Sequence, residues 1–262
     1  METHMIFETH AHYDDDAFNE DREILLDSMN ENGIGYIVNA CASLESLKET
    51  EELTEKYPFV YGAFGIHPDD AEKMTEDTLQ EIRRLVRLPK AVAIGEIGLD
   101  YYWHKEEQEH AVQKKMFLAQ MEIAREEKMP FMIHSRDAAK DTLDIVKDCM
   151  SGGMYGGIIH CFSYGKEMAR EYLNMGLYLG IGGVVTFKNA KKLKEVVEYA
   201  PLEQLVLETD SPYLSPEPNR GKRNSSLNLP YVAEMLAELK GVSKEEVIAV
   251  TEENAKRLLL RK

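Results

Sequence analysis

Ala91-Val-Ala-Ile-Gly-Glu-Ile97, a helical pattern over Glu106–Lys128, then Phe131-Met-Ile-His134: this stretch decides the fold. The outer segments are short apolar runs without polar alternation, which suits strands of a parallel sheet covered on the outside by helices. The same alternation runs outward in both directions. Upstream strands are expected at Met5–His10, Gly35–Ala40 and Phe59–Gly65, and downstream strands at Gly157–His160, Tyr178–Gly182 and Leu205–Glu208. Helical patterns fill the gaps at Asn19–Asn32, Leu44–Lys56, Thr75–Arg87, Ala138–Cys149, Lys166–Met175 and Ala190–Tyr199. Two more follow the last strand, Leu229–Leu239 and Lys244–Leu260. Gly33 and Gly176 stand where helices stop, and Ser243 precedes Lys-Glu-Glu as an N-cap.

Eight βα units in 262 residues, with no Ser/Pro/Gly-rich linker, predict a single α/β domain over residues 1–262, a (β/α)8 TIM barrel. Met5 is the expected natural start, because Met1–His4 add nothing to the first strand. A doubly wound open sheet is the alternative, but no GxGxxG follows the first strand.

Composition narrows the function. An apolar fraction of 44% with 17 Gly and 9 Pro is ordinary for a globular chain and excludes disorder and collagen-like architecture. Lys and Arg number 31 against 47 Asp and Glu, a formal net charge of −16. A protein that gripped nucleic acid mainly by counterion release would be basic, so an extended electrostatic DNA surface is disfavoured. Metal ions can still supply positive charge locally. Cys41, Cys149 and Cys161 form no CxxC, which argues against a disulfide framework or a thiolate zinc site and fits a cytoplasmic protein. Gly176–Phe187, the longest mostly apolar run, is too short and too Gly-rich to span a bilayer, and the acidic N-terminus is unlike a signal peptide. No membrane partner is expected.

Five of the eight histidines, His10, His12, His67, His134 and His160, fall at or just past the C-terminal end of an expected strand. That end of a barrel carries its active site. His10 and His12, two apart on a strand, share a face and can grip one ion. Glu96 closes its strand, where a buried carboxylate requires a cation or hydrogen-bond donors. It either pairs with Arg136 or a nearby lysine, or bridges two ions whose remaining ligands include His134 and His160. Asp210 ends the eighth strand and could bind metal and take a proton from attacking water, although Asp-Ser-Pro is also a turn opening. Glu208, two residues earlier, would support a ligand or substrate. Carboxylates and imidazoles without a thiolate suit two divalent metal ions, Mg, Mn or Zn, and the reaction class is hydrolysis.

Thr9-His-Ala-His12, Gly65-Ile-His-Pro68, Ala93-Ile-Gly-Glu-Ile-Gly-Leu-Asp-Tyr-Tyr102, Ile133-His-Ser-Arg-Asp137, His160-Cys-Phe-Ser163 and Leu207-Glu-Thr-Asp-Ser-Pro-Tyr213 resemble, in order, the TatD-type metal-dependent deoxyribonucleases. The resemblance runs to the Arg220-Gly-Lys-Arg-Asn224 loop. It implies a (β/α)8 barrel of the amidohydrolase-like superfamily that cleaves DNA phosphodiesters with divalent metal. His10, His12, Glu96, His134, His160 and Asp210 match the family's metal positions, with Glu96 and Asp210 also catalytic, and His67 matches a position associated with the substrate phosphate. Three residues depart from the pattern. Glu8 stands where Asp commonly precedes Thr-His, Tyr164 replaces a Gly, and Ser225-Ser226 replaces an acidic-Pro pair.

The resemblance also relieves the charge tension. Arg220, Lys222 and Arg223 in one loop, and Lys188, Lys191, Lys192 and Lys194 in another, could meet flanking phosphates or form solvated faces. Tyr101, with Tyr102 and Trp103, could stack a base or pack beneath its loop. Trimming strand ends needs few phosphate contacts, so the expected substrate is a DNA end or a short single-stranded segment, and the expected protein is a monomeric exonuclease. The rivals are a metallohydrolase of the same class acting on an ester, amide or aminoacyl ester, and a non-catalytic metal-dependent scaffold.

Overall fold

The structure, a computed structural model, describes residues 4–260; Met1–Thr3, part of the segment set aside before Met5, lie outside the described residues. His4 does have a partner, since its Nδ1 lies 2.8 Å from Glu252 Oε2.

Among the described residues there are eight strands: β1 (Ile6–Ala11), β2 (Ile34–Ala40), β3 (Val60–Ala63), β4 (Ala91–Asp100), β5 (Phe131–Arg136), β6 (Gly157–Ile159), β7 (Tyr178–Ile181) and β8 (Leu205–Leu207). They follow chain order in one sheet. The described helices are α1 (Arg22–Asp27), α2 (Leu44–Lys56), α3 (Glu76–Leu85), α4 (Glu107–Glu126), α5 (Ala139–Ser151), α6 (Lys166–Asn174), α7 (Lys191–Tyr199), α8 (Leu229–Lys240) and α9 (Lys244–Leu259). A helix after every strand of an eight-stranded sheet in sequential order is the (β/α)8 barrel the sequence predicts. Every residue of β1, β6 and β8 is buried, as strands covered on both faces require. Among the described residues, no helix is long and apolar enough to cross a membrane.

The chain divides into two compact units. The second unit, Ala40–His160 with Met175–Leu177, holds β3–β6 and α2–α5. Its strands pair in parallel, Gly62 with Ala91, Gly98 with His134, Asp100 with Arg136 and Ile133 with Ile159. Gly98 is required by close approach, because a Cβ there would sit 1.9 Å from the His134 carbonyl oxygen at a φ of +148°. Helix α4 fastens the end of β4 and the segment after β3. The buried Gln113 accepts from the Asp100 amide at 3.0 Å and donates to the Asp100 carbonyl at 3.1 Å. Gln120, two turns on, does the same to Ile66 at 2.8 and 3.0 Å. Each amide satisfies a backbone donor and acceptor that burial would otherwise strand.

The first unit comprises the chain up to Asn39, Cys161–Asn174 and Tyr178 onward. Strand β1 pairs in parallel with β2, and β7 with β8. Past β8 the chain returns to β1: the Asp210 amide donates to the His10 carbonyl at 3.0 Å and the His12 amide to the Ser211 carbonyl at 2.8 Å. Thr9 Oγ1 donates to the Leu207 carbonyl at 2.9 Å.

Two sequence expectations change. The helix expected over Asn19–Asn32 is only α1, flanked by 3-10 turns at Asp16–Phe18 and Asn30–Asn32. Ser28 Oγ donates back to the Leu25 carbonyl at 2.7 Å, and Asn30 and Asn32 are weak helix formers, so the helix ends early. Strands β4 and β5 run past the expected ends at Ile97 and His134, to Asp100 and Arg136. Apolar patterning stops where polar side chains begin, whereas the ladder continues. Gly33 and Gly176 are left-handed at φ +81° and +77°, and Ser243 caps the start of α9 by accepting from the Glu246 amide.

Candidate metal centre

Strand ends of the second unit bring four proposed site residues together around one carboxylate. Glu96 is buried within β4, and its Oε1 lies 2.9 Å from His134 Nδ1, 3.3 Å from His160 Nε2 and 3.8 Å from His67 Nε2. Ligand atoms of His67, Glu96 and His134 all lie within 4.8 Å of one another. A buried carboxylate with imidazole nitrogens converging on one oxygen is a cation-holding geometry.

Asp100, four residues after Glu96 on the same strand, faces the other side of His134, with Oδ2 3.1 Å from Nε2. A carboxylate on Nε2 fixes the ring, and a cation at Nδ1 would displace the proton that Nδ1 shares with Glu96. Burial pulls the His134 imidazolium down, but hydrogen bonds to Asp100 and Glu96 outweigh it and push the group up to about 9. Burial alone would lift Asp100; hydrogen bonds from His134 and from the Trp103 and Tyr102 amides hold it instead at about 2.

His67 is oriented differently. It follows β3 and opens a 3-10 turn, Pro68–Lys73, whose Asp69 amide donates to His67 Nδ1 at 3.2 Å. A lone pair at Nδ1 puts the ring proton on Nε2. Burial and the charge of His134 pull His67 down to about 4, so the ring is a neutral donor at neutral pH.

The first unit gathers the other three. His10 and His12 share one face of β1 with their Nε2 atoms 3.2 Å apart, and His12 Nε2 lies 3.3 Å from Asp210 Oδ1. Asp210 has a φ of +58°, in the left-handed region that Asp tolerates better than most residues. Beneath them lies the fully buried Glu8. Its Oε1 accepts from the His10 amide at 3.1 Å and the Thr209 amide at 2.9 Å, and its Oε2 from Ser226 Oγ at 3.0 Å. Burial pushes Glu8 up to about 8, against the opposing hydrogen bonds from Thr209, His10 and Ser226. Two of the three departures from the family pattern, Glu8 and Ser226, therefore touch each other. Glu208 Oε1 accepts from the Cys161 amide at 2.5 Å, so it supports the loop after β6.

The expected substrate residues divide. Arg220 is half-exposed, with its guanidinium 4.1 Å from the Phe187 ring centroid and 3.8 Å from Glu217. Arg223 has a different partner: both its terminal nitrogens meet the Asp21 carboxylate, at 2.8 and 2.6 Å, and Nη1 also donates to the Ala17 carbonyl at 2.7 Å. It anchors its loop. Tyr101 is likewise engaged, its hydroxyl donating to Asp141 at 2.9 Å and its ring stacked 3.6 Å from His110.

Sequence reasoning missed Asp100 and Glu8 as site residues. Asp100 lies inside the Gly-Glu-Ile-Gly-Leu-Asp motif at even spacing from Glu96, and that spacing was its signal. Glu8, two before His10 in a strand otherwise fit for burial, was the other.

Comparison with known proteins places the chain in a family. A model of the family described as TatD related DNase matches residues 7–260. The chain is 44% identical over 254 residues to the uncharacterized metal-dependent hydrolase YabD of Bacillus subtilis (strain 168), covering 97% of this chain and 98% of that protein. It is 34% identical over 235 residues to a Citrobacter rodentium protein named 3'-5' ssDNA/RNA exonuclease TatD, covering 86% and 87%. Among solved structures, the TatD homologue YJJV of Escherichia coli K12 matches with a TM-score of 0.90 at 27% identity, covering 98% of each chain.

Proposed function

The chain belongs to the TatD-related DNase family of metal-dependent hydrolases, and from that premise we propose that it is an exonuclease acting on DNA ends. The observation that carries this reading is the convergence of His67, His134 and His160 on Glu96 Oε1. In the proposal His10, His12, Glu96, His134, His160 and Asp210 hold two divalent ions, Mg, Mn or Zn. When bound, the ions supply Lewis-acid activation of the scissile phosphate and of the attacking water. The donor set fits such ions, since it mixes imidazole with carboxylate and contains no thiolate.

The chain's own groups do the rest. Asp210, with its left-handed backbone bonded to the His10 carbonyl, accepts the proton of the attacking water as the water oxygen bonds phosphorus and the P–O bond to the departing sugar oxygen breaks; the departing oxygen takes up that proton through solvent. His67 donates Nε2–H to a nonbridging phosphate oxygen, where charge grows as the bond to phosphorus forms. Asp100 keeps His134 in the tautomer that ligation requires. Arg220 meets a flanking phosphate, whereas Arg223 stays with Asp21. The whole chain serves as one catalytic domain, in a cytoplasmic monomer, and the name of the Citrobacter rodentium relative supports end trimming.

A comparison of substrates at equal metal concentration tests the reaction class. Single-stranded DNA, a carboxylic ester and a dipeptide are offered in Mg²⁺ or Mn²⁺, with chelated protein as control. Metal-dependent shortening of the DNA, at a kcat/KM well above that for the other two, is the expected result. Faster ester or amide turnover would overturn the nuclease reading and leave the metal-dependent hydrolase.

A further inference from the structure

Just past Asp100 the second unit leaves two large rings in solvent. Tyr102 is 41% exposed and Trp103 65%. A single exposed aromatic needs no explanation, but these two form a built surface. Their rings meet edge to face with centroids 4.7 Å apart. The Arg136 guanidinium lies 4.0 Å from the Tyr102 centroid and 5.6 Å from that of Trp103, and Lys105 Nζ lies 5.2 Å from Tyr102. The parallel register of Asp100 with Arg136 brings the cation beside the rings.

One carboxylate joins this surface to the metal-ligand cluster. Asp100 Oδ1 accepts from the Tyr102 amide at 2.8 Å and the Trp103 amide at 3.1 Å, while its Oδ2 holds His134. The turn that presents the rings and the imidazole proposed to ligate metal are thus fixed by the same buried side chain. Tyr101 takes no part, being packed on His110 and bonded to Asp141.

We propose that Trp103, with Tyr102 and Arg136, is a stacking subsite for an unpaired nucleobase of a single-stranded DNA substrate. The inference rests on the nuclease reading and deepens it by assigning the residues that hold an unpaired base. A free base offers a flat π-face to the indole, and its phosphates suit Arg136 and Lys105. A base inside a duplex has both faces covered by neighbours. A net charge of −16 disfavours holding DNA by a broad basic surface, and stacking beside two local cations supplies grip without one.

Trp103 is the only tryptophan in the chain, so intrinsic indole fluorescence reads this subsite alone. The metal-loaded protein is titrated with an oligothymidylate tetramer and with an abasic tetramer of equal charge, and steady-state cleavage of both is followed for wild type, Trp103→Ala and Trp103→Phe. The expected result is saturable quenching by the thymidylate and none by the abasic strand. Trp103→Ala should raise KM for the base-bearing tetramer about tenfold, with kcat within about twofold, and Trp103→Phe should restore most of the loss. Equal KM values with unchanged fluorescence, while DNA is being cut, would overturn the subsite and spare the nuclease reading. If wild type cuts neither strand, the nuclease reading falls. The titration then still decides the subsite: base-dependent quenching upholds it, and its absence overturns it.

Discussion

The second unit and the first hold their proposed ligands by different means. In the second, side chains do the holding: Asp100 grips His134, and Gln113 and Gln120 on α4 clamp the backbone at Asp100 and Ile66. Strand β4 runs for 10 residues there, and the β4–β5 ladder carries Glu96 and His134. In the first unit β8 stops at Leu207, and Asp210 lies beyond it with a left-handed backbone. Backbone exchange with β1 keeps it in place, and Glu8 accepts from both the His10 and Thr209 amides. A ligand held by side chains can be loosened one contact at a time. A ligand held by backbone exchange is reached mainly through the buried group beneath it.

That contrast sets an order of effects. Asp100→Asn should have the largest effect on metal binding, lowering affinity about 10–100-fold by equilibrium dialysis while the fold persists, because an asparagine amide can present its N–H₂ to His134 Nε2 and favour the wrong tautomer. Unchanged affinity would remove the side-chain half of the comparison. Glu8→Leu should have the largest effect on stability, as three buried donors lose their acceptor; the expected cost is about 3 kcal/mol in urea unfolding, with metal loss following unfolding. Gln113→Leu should cost about 1–3 kcal/mol, since it strands only the Asp100 amide and carbonyl. If Gln113→Leu costs more than Glu8→Leu, the first unit is not the one dependent on a single brace.

The smallest effect belongs to the surface ion pair of Arg223. Hydrogen bonds from Arg223 hold the Asp21 carboxyl below the usual carboxylate range. Its folded-state value is depressed, so the stabilisation is present above the unfolded value of about 3.9 and is lost as pH falls through the folded one. Asp21→Asn should therefore lower the melting temperature slightly at pH 7, and the difference from wild type should close in strong acid. A difference that persists there would mean that Asp21 acts by packing.

The fold was legible because eight apolar runs alternate with helical patterns, and the ligand candidates because histidines and carboxylates cluster at the run ends. What the sequence hid lies where those two signals overlap. Asp100 and Arg136 belong to strands, yet they follow the polar ligands at which an apolar run ceases to register. Gln113 and Gln120 fall on the buried stripe of α4 with Phe117 and Ala124, an amide pattern that apolar periodicity counts as error. Arg223 reads as a free cation because its partner Asp21 is 202 residues away. Tyr101, Tyr102 and Trp103 are equivalent in sequence, and only packing on His110 separates the first from the other two.

The central claim is a metal-dependent nuclease in which Asp210 takes the proton of the attacking water, and end-labelled single-stranded DNA tests it most directly. Wild type and Asp210→Asn are compared with Mg²⁺ or Mn²⁺ and with chelator, with bound metal measured in each. The account predicts shortening from one end by wild type only when metal is present, and a fall in kcat of about 10²–10⁴ in the variant. Full metal-dependent turnover by Asp210→Asn, or intact DNA from metal-loaded wild type, would contradict it.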